Sequence, residues 1–175
     1  SGTQQGWVSS LVSLRQSQGL RTTVVDIEDV FDEFGYGLVT PQAVKDFITY
    51  AYESWQSPAP QYVLLVGDTS YDYKDNWNSG TVNLVPGYLI YTTHLGETIT
   101  DEWLVQVSGA DAVPDLYIGR LPAATLAQAQ AMVNKIVAYE TAANTKGWEK
   151  TLMLVADNQA ESWESVFETM NEDAA

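Results

Sequence analysis

Residues Tyr62 to Asp75 read YVLLVGDTSYDYKD. The first five, Tyr62 to Val66, are apolar without interruption and stop at Gly67-Asp68, the pattern of a strand covered on both faces by helices. A strand of that kind belongs near the centre of an α/β sheet, where ligands gather beyond the carboxyl ends of the strands. Asp68, Asp72 and Asp75 therefore stand on the expected working edge, with Gly67 letting the backbone turn. The plainer alternative is that Asp68 ends the strand and caps the turn that follows.

On the N-terminal side, Trp7, Val8, Leu11, Val12 and Leu14 recur at spacings of three and four and Gly19 follows, which predicts an amphipathic helix over residues 6–18. Thr22 to Ile27, TTVVDI, reads as a β-branched strand ending near Asp26. A helix followed by a strand implies a strand ahead of the helix, so the first strand of the sheet is expected to be missing, leaving a gap or a bare edge. Gly35 and Gly37 mark residues 29–37 as a glycine-punctuated loop. Thr40-Pro41 opens the next helix as N-cap and first helical residue, with Val44, Phe47, Ile48, Ala51, Tyr52 and Trp55 as its buried stripe.

On the C-terminal side, residues 76–84 are polar and aperiodic, a surface loop. Val85 to Thr92 reads as a strand with Pro86 near its start, and the alternation of Trp103, Val105 and Val107 predicts another short one. These make a hairpin excursion near residues 85–107. Leu116 to Ile118 is a further buried strand, followed by a helix capped by Thr125 and carrying Leu126, Ala129, Met132, Val133, Ile136, Val137 and Tyr139 on one face. Leu152 to Ala156, LMLVA, repeats the apolar pattern and ends at Asp157, after which Trp163, Val166, Phe167 and Met170 predict a last helix. The alternation describes a single α/β domain over residues 1–175. Its mostly parallel sheet carries helices on both faces in three layers, flavodoxin-like or caspase-like, with strands 62–66, 116–118 and 152–156 side by side.

Of 175 residues 45% are apolar, enough for a real core, and 23 acidic against 8 basic residues give a net charge of -15. That charge repels a phosphate backbone and an anionic membrane surface, which argues against nucleic acid as a partner. No apolar run reaches the roughly 18 residues of a membrane span, and the opening SGTQQGWVSS is not a signal peptide. The absence of cysteine removes disulfides, thiolate metal sites and a cysteine nucleophile from these residues. His94 is the single histidine, and no G-x-S-x-G elbow presents a serine beside it. No G-x-G-x-x-G or P-loop supports nucleotide binding. Asp68, Asp72, Asp75, Asp101, Asp111 and Asp157 all follow apolar strands or lie in the next turn. Oxygen donors in loops suit Ca²⁺, with Asp68, Asp72 and Asp101 as candidate ligands, although the spacing is no EF-hand and ordinary turn capping is the plainer reading. Arg120, just past a strand, is placed to form a structural ion pair with one of these aspartates.

In this order the landmarks resemble the gingipain-type cysteine peptidases, secreted bacterial enzymes of caspase-like fold. They are Gln18-Gly19-Leu20, Val25-Asp26, Phe34 to Gly37, YVLLVGDTSYD over 62–72, Val85-Pro86, Thr100-Asp101, Gly109 to Asp111, PDLYIGRLP over 114–122 and NKIVAYE over 134–140. The resemblance implies the first of two α/β halves of a peptidase unit, in which the catalytic histidine, in a Gly-His-Gly setting, and the cysteine belong to the second half. Neither maps onto a residue here, so no catalytic residue is expected in this chain. It also implies an extracellular or cell-surface location, a peptide or protein substrate, the catalytic half as partner, and calcium as a possible ligand. Asp157, Glu161 and Glu164, nearest the cleft by order, are the candidates for binding a basic substrate side chain. The rivals are a catalytically inactive relative serving secretion or protein interaction, and an unrelated flavodoxin-like binder.

Overall fold

The computed structural model of the chain describes residues 6–142, 147, 151–156 and 161–174. They fall into two compact units, residues 1–140 and 141–175. In the first, strand β1 (Tyr62–Val66) pairs in parallel with β4 (Tyr117–Leu121), from Tyr62 opposite Tyr117 to Val66 opposite Leu121. The two-residue period of a strand sends Val63, Leu65 and Ile118 to one face. There they pack with Phe31 of helix α2 (Ile27–Gly35), with Ala43, Val44 and Ile48 of α3 (Pro41–Ser54), and with Leu104 and Val105, which have no exposed surface. A fully buried side chain of that size contributes about 1.5–3 kcal/mol, so this cluster is the main apolar stabilisation of the unit. On the other face Leu121 meets Val8, Leu11 and Val133, contributed by a short 3-10 turn (Gly6–Val8), by α1 (Ser9–Ser17) and by α4 (Leu126–Thr141). The result is an α/β unit with a small parallel sheet.

Helix α3 begins as its sequence dictates: Thr40 Oγ1 accepts from the Ala43 amide at 3.2 Å, and Pro41 occupies the first turn. Strands β2 (Tyr88–Thr92) and β3 (Gly96–Thr100) form an antiparallel hairpin with Tyr88 opposite Thr100. This is the expected excursion. Its turn carries His94, exposed to solvent.

Four expected elements differ. Residues 29–37 are not a loop, because Asp26 caps α2 by accepting from the Glu28 amide at 3.1 Å, and Val30, Phe31 and Phe34 then share a helical face. The helix stops where Tyr36 and Gly37 take positive φ, 53° and 79°. Thr22–Ile27 forms no ladder: residues 20–26 lie in neither helix nor strand, and Ile27 already belongs to α2. Trp103–Val107 is not a strand. Thr100 Oγ1 accepts from the Glu102 amide and starts a 3-10 helix over Glu102–Val105, which buries the adjacent Leu104 and Val105 together, as no strand could. In the second unit α5 (Ser165–Ala174) is the expected last helix, but Leu152–Ala156 is neither helix nor strand and its side chains are mostly exposed. A strand exists only against a partner edge, and the described residues of that unit offer none. Among the described residues no helix is long and apolar enough to cross a membrane.

Candidate functional site

The carboxyl ends of β1 and β4 carry the densest polar network of the first unit. Gly67 leaves β1 with φ 148°, and a Cβ there would stand 2.9 Å from Leu84 Cβ and Val85 Cγ2, so only glycine lets the loop 84–85 lie this close. Asp68 then locks the loop through its backbone: its amide donates to Ala123 O at 3.0 Å, and its carbonyl accepts from the amides of Leu84 and Val85. Its carboxylate accepts from the Thr69 amide at 2.9 Å. Thr69 Oγ1 accepts in turn from the Gly87 amide at 3.0 Å, and Asn83 Oδ1 accepts from the amide of buried Ser70 at 3.3 Å.

Arg120 is the hub of this edge. The period of β4 sends its side chain to the same face as Ile118, toward loop 84–87 and Asp101. Nε and Nη2 donate to the two carboxylate oxygens of Asp101 at 2.8 and 2.7 Å, while Nη1 donates to Gly67 O and Val85 O, both at 2.8 Å. The side chain is only 10% exposed, so the pair is a buried, bidentate clamp joining four segments. It matches the structural ion pair expected from the sequence, with Asp101 as the partner.

Asp72 lies in the following loop, where its carboxylate accepts from Asn76 Nδ2 at 3.2 Å and the Trp77 amide at 2.7 Å. Asp75 holds the next turn by accepting from the Ser79 amide at 2.8 Å. Of the three candidate calcium ligands, Asp101 is neutralised by Arg120, and Asp68 and Asp72 each serve backbone amides. Among the described residues no group of three or more His, Cys, Asp or Glu is placed to hold a metal ion. Glu161 and Glu164 lie at the approach to α5: the Glu164 carboxylate accepts from the Glu161 amide at 2.8 Å, a local turn cap. Asp157 lies outside the described residues.

The sequence reading passed over an aromatic recess of about 310 Å³ lined by Tyr71, Asp72, Trp77, Leu89 and Glu97 among others. Tyr71 stacks on Trp77 with ring centroids 5.6 Å apart, and its hydroxyl donates to Glu97 of β3, a bond that raises the Tyr71 pKa. The available signal was the aromatic density of YDYKDNW over 71–77. Lys45 lies 4.0 Å over the ring of Trp103, itself stacked on Tyr88, and partial burial lowers the ammonium pKa. This stack ties α3, the 3-10 helix and β2 together.

A parallel strand pair with helices packed by sequence-distant clusters, and a polar edge at the strands' carboxyl ends, defines an α/β domain consistent with a caspase-like fold. The chain belongs to peptidase family C25, the gingipain family, whose model matches residues 4–175. Among solved structures it is similar to the crystal structure of dimeric latent PorU from Porphyromonas gingivalis, with a TM-score of 0.59 and 18% identity over 93% of this chain. It spans 17% of the length of that chain. At this identity the likeness carries the fold. No curated protein matches the chain.

Proposed function

We propose that these residues are the N-terminal, non-catalytic half of the peptidase unit of a secreted gingipain-like cysteine endopeptidase, completed in three layers around a larger parallel sheet. The observation that carries the reading is the match of residues 4–175 to a cysteine peptidase family in a sequence with no cysteine. In that reading the half supplies a rigid wall: the Arg120–Asp101 clamp fixes the carboxyl edge of β1 and β4 against the hairpin, and the chemistry is performed by a histidine and a cysteine contributed downstream. There the imidazole takes the thiol proton, the thiolate attacks the peptide carbonyl, the C–N bond breaks as the imidazolium gives that proton to the leaving amine, and water hydrolyses the thioester acyl-enzyme. In that reading Asp157, Glu161 and Glu164, nearest the cleft by chain order, favour a basic substrate side chain.

Calcium at this edge, with Asp68, Asp72 and Asp101 among its ligands, belongs to the proposal as a binding event that rearranges the contacts these carboxylates make, since among the described residues no three of them converge. The location is extracellular or at the cell surface.

The test is to express the chain joined to the polypeptide that follows it in the gene and treat it with iodoacetamide. One alkylated cysteine, with loss of peptide hydrolysis, supports the reading. An intact downstream half with no reactive thiol and no hydrolysis would instead support the inactive interaction module.

A further inference from the structure

A large open space among the described residues of the first unit lies along the free edge of β1. Strand β4 takes one edge, and among the described residues no strand pairs with the other. An open cavity of about 1990 Å³ runs there, with Thr22–Ile27 on one side and Tyr62–Val66 opposite. Phe31 and Ile48 line it from the α2/α3 face of the sheet, and Leu11 and Val12 from the α1 face. The cavity therefore passes through the plane of the sheet, in the position of a strand.

Both flanks, residues 22–26 and β1, present backbone that pairs with no strand on the side of the slot among the described residues. Among the described residues, the one main-chain hydrogen bond made by residues 22–26 is from the Val30 amide to Asp26 O. Thr22 Oγ1 is buried with no hydrogen-bond partner. Across the space, Leu64 in the middle of β1 is 48% exposed and Tyr62 at its start 61%, unusual for an apolar strand in an α/β sheet. The walls are held in place independently of any occupant. Arg21 Nη2 donates to Gln56 O at 2.7 Å and Pro58 O at 2.6 Å, tying the start of one flank to the segment that leads into β1. At the other end Asp26 caps α2, which packs on α3. The two flanks thus begin at the same end, as parallel strands do.

We propose that this slot receives one further β-strand, parallel to β1, which pairs with Tyr62–Val66 on one side and Thr22–Asp26 on the other. We assign its source to the polypeptide that leads into α1 in the same molecule. A strand there, followed by α1 and then by residues 22–26, is a βαβ unit, which in almost every sheet crosses over right-handed. A strand donated by a second molecule would lack the short connection to α1, which already stands where the crossover needs it. Five residues rising about 3.3 Å each match the five residues of β1. Because both faces of the slot are apolar, the occupant carries an uninterrupted β-branched run rather than an alternating one.

The experiment compares the 175-residue chain with the same chain lengthened at its N-terminus by the segment its gene encodes immediately upstream. Hydrogen exchange is read at the amides of residues 22–26 and 62–66, with α3 as the reference for global folding. The expected result is protection at least ~10-fold greater at both flanks in the lengthened chain, with less change in α3, and its loss when proline is placed in the middle of the added strand. Equal exchange at the flanks in both chains overturns the proposal. So does protection in the 175-residue chain that grows with protein concentration, which would make a second copy the occupant. A disulfide check works in the lengthened chain, because the 175 residues contain no cysteine and any in the added segment is replaced by serine. With Leu64→Cys and either Val24→Cys or Val25→Cys, flanks two strand spacings apart, about 9.6 Å, are too far to bridge. Ready disulfide formation would mean the flanks close on each other and would refute the occupant.

Discussion

Replacing Arg120 with methionine keeps the stem of the side chain and removes the guanidinium. Four hydrogen bonds go with it, two to Asp101 and one each to Gly67 O and Val85 O. The Asp101 carboxylate is then left partly buried beside no cation, and stranding one member of a buried pair costs about 3–5 kcal/mol. The two carbonyls add a smaller cost, partly relieved by water. For a chain of this length each kcal/mol moves the melting temperature by about 2–4 °C, so the loss is on the order of 10 °C. Urea unfolding followed by tryptophan fluorescence measures it, with the slope checked so that a shift of midpoint reports stability alone. A double-mutant cycle with Asp101→Leu isolates the pair: Arg120→Met/Asp101→Leu should recover much of the loss, because no orphan charge remains. A loss below about 1 kcal/mol for Arg120→Met would refute the reasoning, since that is the value of a solvated surface pair.

Arg15 donates to both oxygens of Glu140 at 2.5 and 2.7 Å, which together with Gln18 holds the Glu140 pKa at about 2, below its usual 4.5. The folded value being the lower one, this pair stabilises the fold above pH 4.5 and its contribution fades as pH falls toward 2; Arg15→Ala should narrow the stability difference from wild type over that interval in acid titrations of Tm. At Gly87 a Cβ would clash with Ile99 Cγ2, so Gly87→Ala should cost about 1–3 kcal/mol in urea unfolding, and Ile99→Ala in the same chain should restore part of it. Calcium is tested by melting in millimolar Ca²⁺ against chelator: a rise that Asp72→Asn abolishes supports binding at Asp68 and Asp72, and equal values remove it.

The elements that were legible in the sequence are those whose signal is local. Thr40-Pro41 announces α3 because cap and first residue are adjacent, and the apolar run 62–66 announces β1 because five consecutive apolar residues ending at Gly67-Asp68 are the local signature of a strand between helices. Helix α2 was obscured by Gly35 and Gly37, which end it rather than interrupt it, while its true start signal was Asp26, read as the end of a strand. Trp103, Val105 and Val107 alternate in sequence, yet Thr100 and Asp101 turn the backbone so that Leu104 and Val105 enter the core side by side. The strand character of Thr22–Asp26 and Leu152–Ala156 was legible as composition, but pairing is a property of the neighbour, which no local pattern reports. At the site, Arg120 and Asp101 were each visible, and their geometry is fixed by loop 84–87, whose path depends on Gly67 and Gly87.

The most direct test of the central claim is hydrolysis of Arg-, Lys- and generic-peptide reporters by two purified polypeptides. One is the 175-residue chain, and the other is the same chain continued through the downstream half. The account predicts no turnover by the first and thiol-sensitive turnover by the second. Turnover by the 175 residues alone that survives thiol reagents and disappears in His94→Ala would contradict it.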